Sequence, residues 1–149
     1  MSLQEEYAQK FAGLRHAYSV FTPNTETRED GKAKGKVVTI SKTLTKEQFI
    51  ELWKDHLEGK TSIGVVAIDE TNSCVWGAID VDEYPLDLKG LAKKIKKQKL
   101  PLVVCRSKSG GAHVFLFTFD PVPAALMQKK LRQVAACLGF GNAEIFPKQ

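Results

Sequence analysis

The sequence is poor in the residues and segments that cross-link a protein or anchor it in a membrane. Its 149 residues include only three cysteines and three histidines. No apolar run approaches the roughly 18 residues that a membrane-spanning helix needs, and nothing near Met1 has the pattern of a secretion signal. These absences argue against a membrane or secreted protein, and we expect a cytoplasmic location.

The cysteines are too few and too scattered to build a site. Cys74, Cys105 and Cys137 form no CxxC pair, and an odd count is typical neither of a disulfide framework nor of a zinc site. Each has an apolar neighbour, so we expect three buried, unbridged thiols.

Basic residues are in modest excess, with a formal net charge of +5. Such an excess suits a partner that bears phosphates, although many proteins without such a partner share it. The densest basic run, Lys93–Lys99, lies on a predicted helix. Either a solvated helix face or a nucleic-acid contact accounts for this run.

Residues 1–60 predict a small α/β unit. Helical spacing after Glu5 and Glu6 predicts a first helix whose apolar stripe is Tyr7, Phe11, Leu14 and Tyr18. The polar stretch 23–36 predicts a mobile loop, and Lys36–Ile40 predicts a short strand.

A second helix is predicted to start at the capping-box pattern Thr45–Gln48 and to end near Gly59. His56 shares the apolar stripe of this helix, and we interpret it as a packing residue. The stripe consists of Phe49, Leu52, Trp53, His56 and Leu57.

Residues 61–149 change to strand periodicity interrupted by two helices. The predicted strands are Ile63–Ile68, Cys74–Asp82, Leu100–Cys105, Ala112–Phe119 and Ala143–Phe146. The predicted helices are Leu86–Gln98 and a segment that starts at Pro123, ends at Gly139 and buries Leu126, Leu131, Val134, Ala135 and Leu138. From residue 74 the order is β-α-β-β-α-β, which predicts an α+β fold with an RRM-like antiparallel sheet and both helices on one face.

The predicted strand Cys74–Asp82 ends with the sequence WGAIDVD, which contains two acids. Asp80 and Asp82 are two residues apart, so both point to the same face of the strand, opposite Ile79 and Val81. Paired carboxylates repel each other unless a cation lies between them, and oxygen ligands suit Mg²⁺ or Mn²⁺. A solvated strand end accounts for the doublet as well, so the doublet alone does not distinguish a metal site from an exposed strand end.

The segment Arg106–His113 (RSKSGGAH) combines two adjacent glycines with hydroxyl and cationic side chains. Ser107 and Ser109, together with Arg106 and Lys108, are the groups that phosphate binding requires. His113 opens the next strand on the same face as Phe115, Phe117 and Phe119. A Gly-Gly hairpin turn with a packed edge histidine is the alternative interpretation.

The last predicted strand starts near a third acid. Glu144 falls next to the first strand of the RRM-like unit, where it could complete a three-acid site, and Lys148 could reach a phosphate. Taken alone, Glu144 is as well explained as an exposed acid.

Together the motifs Asp80-Val-Asp82, Ser109-Gly-Gly-Ala-His113 and Glu144 resemble those of the archaeo-eukaryotic primase superfamily. The flanks WGAIDVDEY and EIFPKQ look most like its primase–polymerase branch from mobile-element and conflict-system proteins. Such domains usually continue well past the third motif, so we expect that this chain is truncated at its C-terminus, with a minimal module as the alternative.

This resemblance implies a primase or DNA polymerase that transfers nucleotides under the direction of a template. It implies that Asp80, Asp82 and Glu144 hold Mg²⁺ or Mn²⁺, and that the nucleotide is bound by Ser109, His113, Arg106, Lys108 and Lys148. The implied partners are nucleoside triphosphates, a single-stranded or primed nucleic-acid template, and helicase or nuclease domains on a longer chain, with no membrane.

Two other functions fit parts of the sequence. A non-catalytic nucleic-acid or nucleotide-binding RRM-like module would stack bases on Phe115, Phe117 and Phe119, although the usual RNP1 string is missing. A replication-initiator nuclease would need two histidines around an apolar residue on this strand, and only His113 is present.

Overall fold

The computed structural model describes residues 1–27, 29 and 33–148, and of Thr25 and Ala33 only the backbone. The chain divides into two compact units, Met1–Glu70 and Thr71–Gln149. The described residues form four helices and seven strands in two antiparallel sheets, which confirms the α+β class.

The first unit contains two helices and a three-stranded sheet. Its elements are α1 (Leu3–Lys10), β1 (Tyr18–Thr27), β2 (Ala33–Ile40), α2 (Lys46–Leu57) and β3 (Ser62–Val65), with the strand order β2-β1-β3. Its core is formed by Ala8, Leu44, Phe49 and Trp53, against which Tyr7 and Phe11 pack.

Both helices of this unit start at capping boxes. Thr45 accepts a hydrogen bond from the Gln48 backbone N–H, as the sequence predicted, and Ser2 and Glu5 form the equivalent box on α1. The backbone and hydroxyl of Ser2 both donate to the Glu5 carboxylate, and these hydrogen bonds lower the pKa of Glu5. On α2, His56 contacts the Trp53 ring edge-on and its Nδ1 lies 2.9 Å from the Thr61 carbonyl oxygen, which confirms its packing role.

Two sequence predictions in this unit are wrong. Helix α1 ends at Lys10, and Tyr18 begins β1 instead of continuing the helical stripe. Residues 23–27 and 33–36 form strands, not a loop, while residues 28 and 30–32 lie outside the described part of the chain. These polar residues form strands because β1 and β2 pair with each other along this stretch. Pro23 is tolerated in β1 because it lies opposite Gly35, beyond the part of β1 that pairs with β3, so its missing N–H breaks no hydrogen bond to β3.

The second unit is a four-stranded antiparallel sheet with two helices. Along the chain its elements are β4 (Ser73–Val81), α3 (Leu88–Lys97), β5 (Leu102–Arg106), β6 (Ala112–Pro123), α4 (Ala124–Leu138) and β7 (Glu144–Phe146). The spatial order is β5-β6-β4-β7, so the first and third strands of the unit lie at the centre of the sheet.

Side-chain alternation gives this sheet a buried and a polar face near the end of β4. Ile79, Val81 and Val114 are almost completely buried and face the layer in which Leu131 of α4 is also fully buried. The residues between them in sequence, Asp80 and His113, are partly exposed on the other face. Helix α4 therefore packs on the face of β4 opposite Asp80.

Details of the predicted burial also differ from the structure. On α4, Leu126 is 57% exposed and Met127 is buried in its place, because the inward stripe is Ala124, Met127, Leu131, Ala135 and Leu138. Only Cys74 is buried, whereas Cys105 and Cys137 are exposed, and none of the three is in a disulfide. No helix within the described residues is long and apolar enough to cross a membrane.

The inward stripe of α4 predicts a contrast between two neighbouring residues. Met127→Ala should lower the free energy of unfolding by about 2–5 kcal/mol, because it removes a buried side chain from the helix–sheet interface. Leu126→Ala should change it by less than about 0.5 kcal/mol, since that side chain is exposed. Urea unfolding monitored by circular dichroism measures both; equal effects of the two substitutions would contradict the assigned face.

Candidate active site

One row of side chains runs across the four strands of the second unit. Asp80 of β4 pairs directly with His113 of β6 on one side and with Glu144 of β7 on the other, and His113 pairs in turn with Cys105 of β5. Directly paired residues of an antiparallel sheet point to the same face. The register therefore brings two of the predicted acids and the predicted histidine onto one surface.

Asp80 and His113 are in contact. The Asp80 Oδ1 and His113 Nε2 atoms are 3.4 Å apart, with 26% of the aspartate side chain and 45% of the histidine side chain exposed. The neighbouring rings of His113 and Phe115 meet nearly edge-on, with centroids 5.9 Å apart. The histidine is thus held by its strand neighbours while its ring remains accessible.

Asp82 follows β4 directly and is linked to the glycine turn by a tyrosine. The Tyr84 hydroxyl donates to Asp82 Oδ1 at 2.5 Å and also lies 2.7 Å from Ser109 Oγ. The second predicted acid and the predicted phosphate-binding serine are consequently neighbours, joined by a residue that the sequence analysis did not select.

The turn between β5 and β6 is closed by its own backbone. The Ser107 N–H donates to the Gly111 carbonyl oxygen at 2.9 Å, and the Gly110 N–H donates to the Ser107 carbonyl oxygen at 3.1 Å. Gly110 has a φ of 95°, which side chains disfavour. A Cβ on Gly111 would lie 2.2 Å from the Val81 carbonyl oxygen, so only glycine allows the turn to lie this close to the end of β4.

Glu144 is held by a cation that follows β7 in the chain. Its Oε1 forms an ion pair with Lys148 Nζ, which also lies 5.2 Å from the centre of the Phe146 ring. The Glu144 side chain is 48% exposed. Its carboxylate is therefore accessible, with a basic partner beside it.

A cleft of about 310 Å³ opens beside the end of β4 and is lined by Asp80, Asp82, Glu83 and Glu144. The side chains do not converge on one point. Within the described residues no group of three histidine, cysteine, aspartate or glutamate side chains is arranged to hold a metal ion. Asp82 accepts a hydrogen bond from Tyr84, and Glu144 pairs with Lys148.

The remaining predicted residues occupy the edge of this surface. Lys108 and Ser109 are exposed in the turn. Arg106 pairs with Ala112, which pairs with Val81, so it belongs to the row next to that of Asp80 and His113. Because successive strand residues point to opposite faces, the register directs Arg106 away from the carboxylate face, although it is exposed at the strand end.

Aromatic rings continue the strand face beyond His113. Phe115 and Phe117 stack with centroids 5.9 Å apart, and Trp76 meets Phe115 at 6.2 Å. Phe119 is fully exposed. Phe115 and Phe117 thus share one face as predicted, whereas Phe119 lies in the irregular part of the ladder and projects entirely into solvent.

Two residues of this surface differ from the sequence predictions, Tyr84 and Cys105. Tyr84 lies in the loop after β4, where no periodicity assigns a direction to a side chain. Its position two residues after Asp82 was the only available signal. Cys105 was predicted to be buried because its neighbours are apolar, yet it is exposed in the same row as His113.

The chain matches the model of a known family. The model of the family AEP-TOTE, the archaeo-eukaryotic primase domain of the TOTE conflict system, matches residues 3–143. The match covers nearly the whole chain, ends one residue before Glu144, and confirms the resemblance indicated by the three motifs. No curated protein shows significant sequence similarity to the chain.

The close approach at Gly111 predicts an intolerance to any side chain. Gly111→Ala should lower the free energy of unfolding by about 1–3 kcal/mol, because the new methyl group would overlap the Val81 carbonyl oxygen. Gly141→Ala is the matched control, since its Cβ would meet nothing closer than 4.0 Å. Chemical unfolding compares the two variants, and an unaffected Gly111→Ala protein would disprove the close approach.

Proposed function

The chain belongs to the AEP-TOTE family of archaeo-eukaryotic primase domains, and from that membership we propose that it is a template-directed nucleotidyltransferase of the primase–polymerase type. The observation that carries the proposal is the β-ladder that sets Asp80 between His113 and Glu144, with Asp82 next in the chain. On the same basis we propose that the β-α-β-β-α-β unit is RRM-like, with both helices on the face opposite the carboxylates.

The donor set fits divalent metal ions. Asp80, Asp82 and Glu144 offer only carboxylate oxygens, which Mg²⁺ and Mn²⁺ prefer, and all three line one cleft. When bound, the ions supply activation of an attacking 3′-hydroxyl and stabilisation of the leaving pyrophosphate. Tyr84 occupies only Oδ1 of Asp82 and Lys148 only Oε1 of Glu144, so a bound ion would take the other carboxylate oxygens or displace these partners.

The residues around the turn would hold the incoming nucleotide. Ser109 and the accessible His113 ring would donate hydrogen bonds to the triphosphate, with His113 acting as a phosphate ligand and not as a general base. Lys148, released from Glu144, would supply positive charge to the same phosphates. Lys108 in the turn would contribute from the periphery, and Arg106 would have to turn around the end of β5 to do so, because the register directs it to the other face.

Nucleotide transfer would then follow from positioning. A 3′-hydroxyl oxygen held against the α-phosphorus forms the new P–O bond, its proton is lost to solvent, and the bond to the bridging oxygen breaks as pyrophosphate leaves. The protein contributes the orientation of both reactants and an electrostatic environment for the developing charge.

One observation favours a second function, that of a non-catalytic nucleotide or nucleic-acid binding module. In the structure each of the three carboxylates has a protein partner: His113 for Asp80, Tyr84 for Asp82 and Lys148 for Glu144. If these contacts persist in the presence of metal ions, the surface would bind phosphates without activating them.

The enzymatic proposal predicts that Asp82→Asn abolishes nucleotide incorporation on a primed template. Loss of a metal-binding carboxylate should cost about 3 kcal/mol or more of transition-state stabilisation, which corresponds to at least about a hundredfold in rate. Asp120→Asn removes an equally exposed acid of β6 outside the cleft and should leave the rate unchanged. Undiminished incorporation by Asp82→Asn would refute the enzymatic proposal.

Metal titration separates the two functions directly. Mn²⁺ binding measured by calorimetry should be weakened at least about tenfold in Asp80→Asn, because the central member of the carboxylate row is lost. Asp120→Asn again serves as the control. Nucleotide binding that needs no metal, together with Mn²⁺ binding that ignores Asp80, would favour the non-catalytic module.

A further inference from the structure

The positive charge of the chain is concentrated in its second unit. Residues 71–149 contain twelve lysines and arginines and six acids, a net charge of +6, whereas residues 1–70 contain ten and eleven, a net charge of −1. The acids at the end of β4 lie within the positive unit. The excess positive charge must therefore be located elsewhere on its surface.

Most of this charge lies on the helical layer. Helices α3 and α4 contain no aspartate or glutamate, and they carry eight basic residues: Lys89, Lys93, Lys94, Lys96, Lys97, Lys129, Lys130 and Arg132. A solvated helix face normally mixes both signs of charge. This layer therefore has a strongly one-sided charge.

The basic residues of α3 include a regular row. Lys89, Lys93 and Lys96 follow each other at intervals of four and three residues and are all exposed, on the side opposite the buried Leu91 and Ile95. With a rise of 1.5 Å per residue, the row is about 10 Å long. Hereafter these three residues are called the lysine row.

Nothing within the described residues neutralises the lysine row. The lysines that form ion pairs within the described residues are four others: Lys34, Lys54, Lys60 and Lys148. On α3, Lys94 has a different role, because its Nζ donates to the Leu138 carbonyl oxygen and ties α3 to α4. The lysine row is thus available to a partner outside this unit.

The position of α3 connects the lysine row to the carboxylates. Helix α3 starts at the same end of the sheet at which β4 stops, and the chain from Asp82 to Lys89 can span at most about 25 Å. Lys89 in the first turn of α3 is nearest to that end, and Lys96 lies towards the opposite end. The row therefore begins near the end of the sheet at which Asp80 and Asp82 lie, but on the outer side of the helical layer, so a strand that reaches it must pass around that end of the sheet.

We propose that the lysine row binds the phosphate backbone of the nucleic-acid strand as that strand leaves the carboxylate site. The inference rests on the proposed function, which makes such a strand the substrate. A nucleic acid suits the row better than an acidic membrane surface does, because phosphates repeat along a line that extends from the carboxylate end of the sheet. Lysines with no paired acid act there as point charges that read no sequence.

The test is the salt dependence of binding to a labelled single-stranded oligothymidylate, measured by fluorescence anisotropy without divalent metal. The triple variant Lys89→Gln, Lys93→Gln and Lys96→Gln should bind at least about tenfold more weakly, and the slope of log K against log salt should fall by about 2, because three phosphate contacts on a single strand are lost. Glutamine preserves helix propensity, so the fold should be retained.

Two controls make the result specific. The variant Lys10→Gln, Lys36→Gln and Lys42→Gln removes the same charge from exposed positions of the first unit and should bind almost as the unaltered chain does. Replacing the lysine row by three arginines keeps the charge and should retain the affinity and most of the slope.

The outcomes separate this inference from the proposed function. Equal weakening by both glutamine variants, or no weakening by either, overturns the lysine row as a binding surface. Loss of binding to phosphatidylserine vesicles with oligonucleotide binding unchanged would assign the row to a membrane surface and also overturns the proposal. If the unaltered chain fails to incorporate nucleotides in the presence of metal ions, the enzymatic function is refuted. The binding experiment without metal can still be interpreted in that case.

Discussion

The candidate site depends on the register in which β4 pairs with its two neighbours. Backbone hydrogen bonds of the ladder set Asp80 opposite His113 on one side and opposite Glu144 on the other, although these residues are far apart in sequence. A slip of one residue would turn every side chain of a strand to the other face. It would bury Asp80 among apolar groups and expose Ile79, at a cost of several kcal/mol for the unpaired buried charge.

Two features fix this register close to the site. On the helical side, Ile79, Val81 and Val114 are buried and cannot be exchanged for their polar neighbours. At the turn, Gly111 lies so close to the Val81 carbonyl oxygen that a residue with a Cβ does not fit there, so a shift of β6 along β4 that moved another residue into this position is disfavoured. The irregularity between Cys74 and Trp76 lies at the other end of β4, so residues 76–81 pair with β6 without interruption. The distortion of the sheet is thus kept away from the carboxylates.

Sequence reasoning was most successful where periodicity determines direction. Strand alternation placed Asp80 opposite in direction to Ile79 and Val81, and the capping box placed the start of α2. It failed where pairing decides the outcome, as in residues 23–27 and 33–36, whose polar composition conceals a hairpin. It also failed where a loop side chain acts, as Tyr84 does between Asp82 and Ser109. Which partner each carboxylate contacts depends on three-dimensional proximity, which local patterns do not encode.

The proposed function requires that Asp80, Asp82 and Glu144 bind divalent metal ions together. Paramagnetic broadening of backbone amide signals during a Mn²⁺ titration tests it most directly, because the broadening reports distance from the bound ion residue by residue. We predict that the signals of Asp80, Asp82 and Glu144 disappear together, at the lowest Mn²⁺ concentration, while those of Asp120 persist. Broadening confined to the Asp82–Glu83 loop, with the Glu144 signal unaffected, would contradict it.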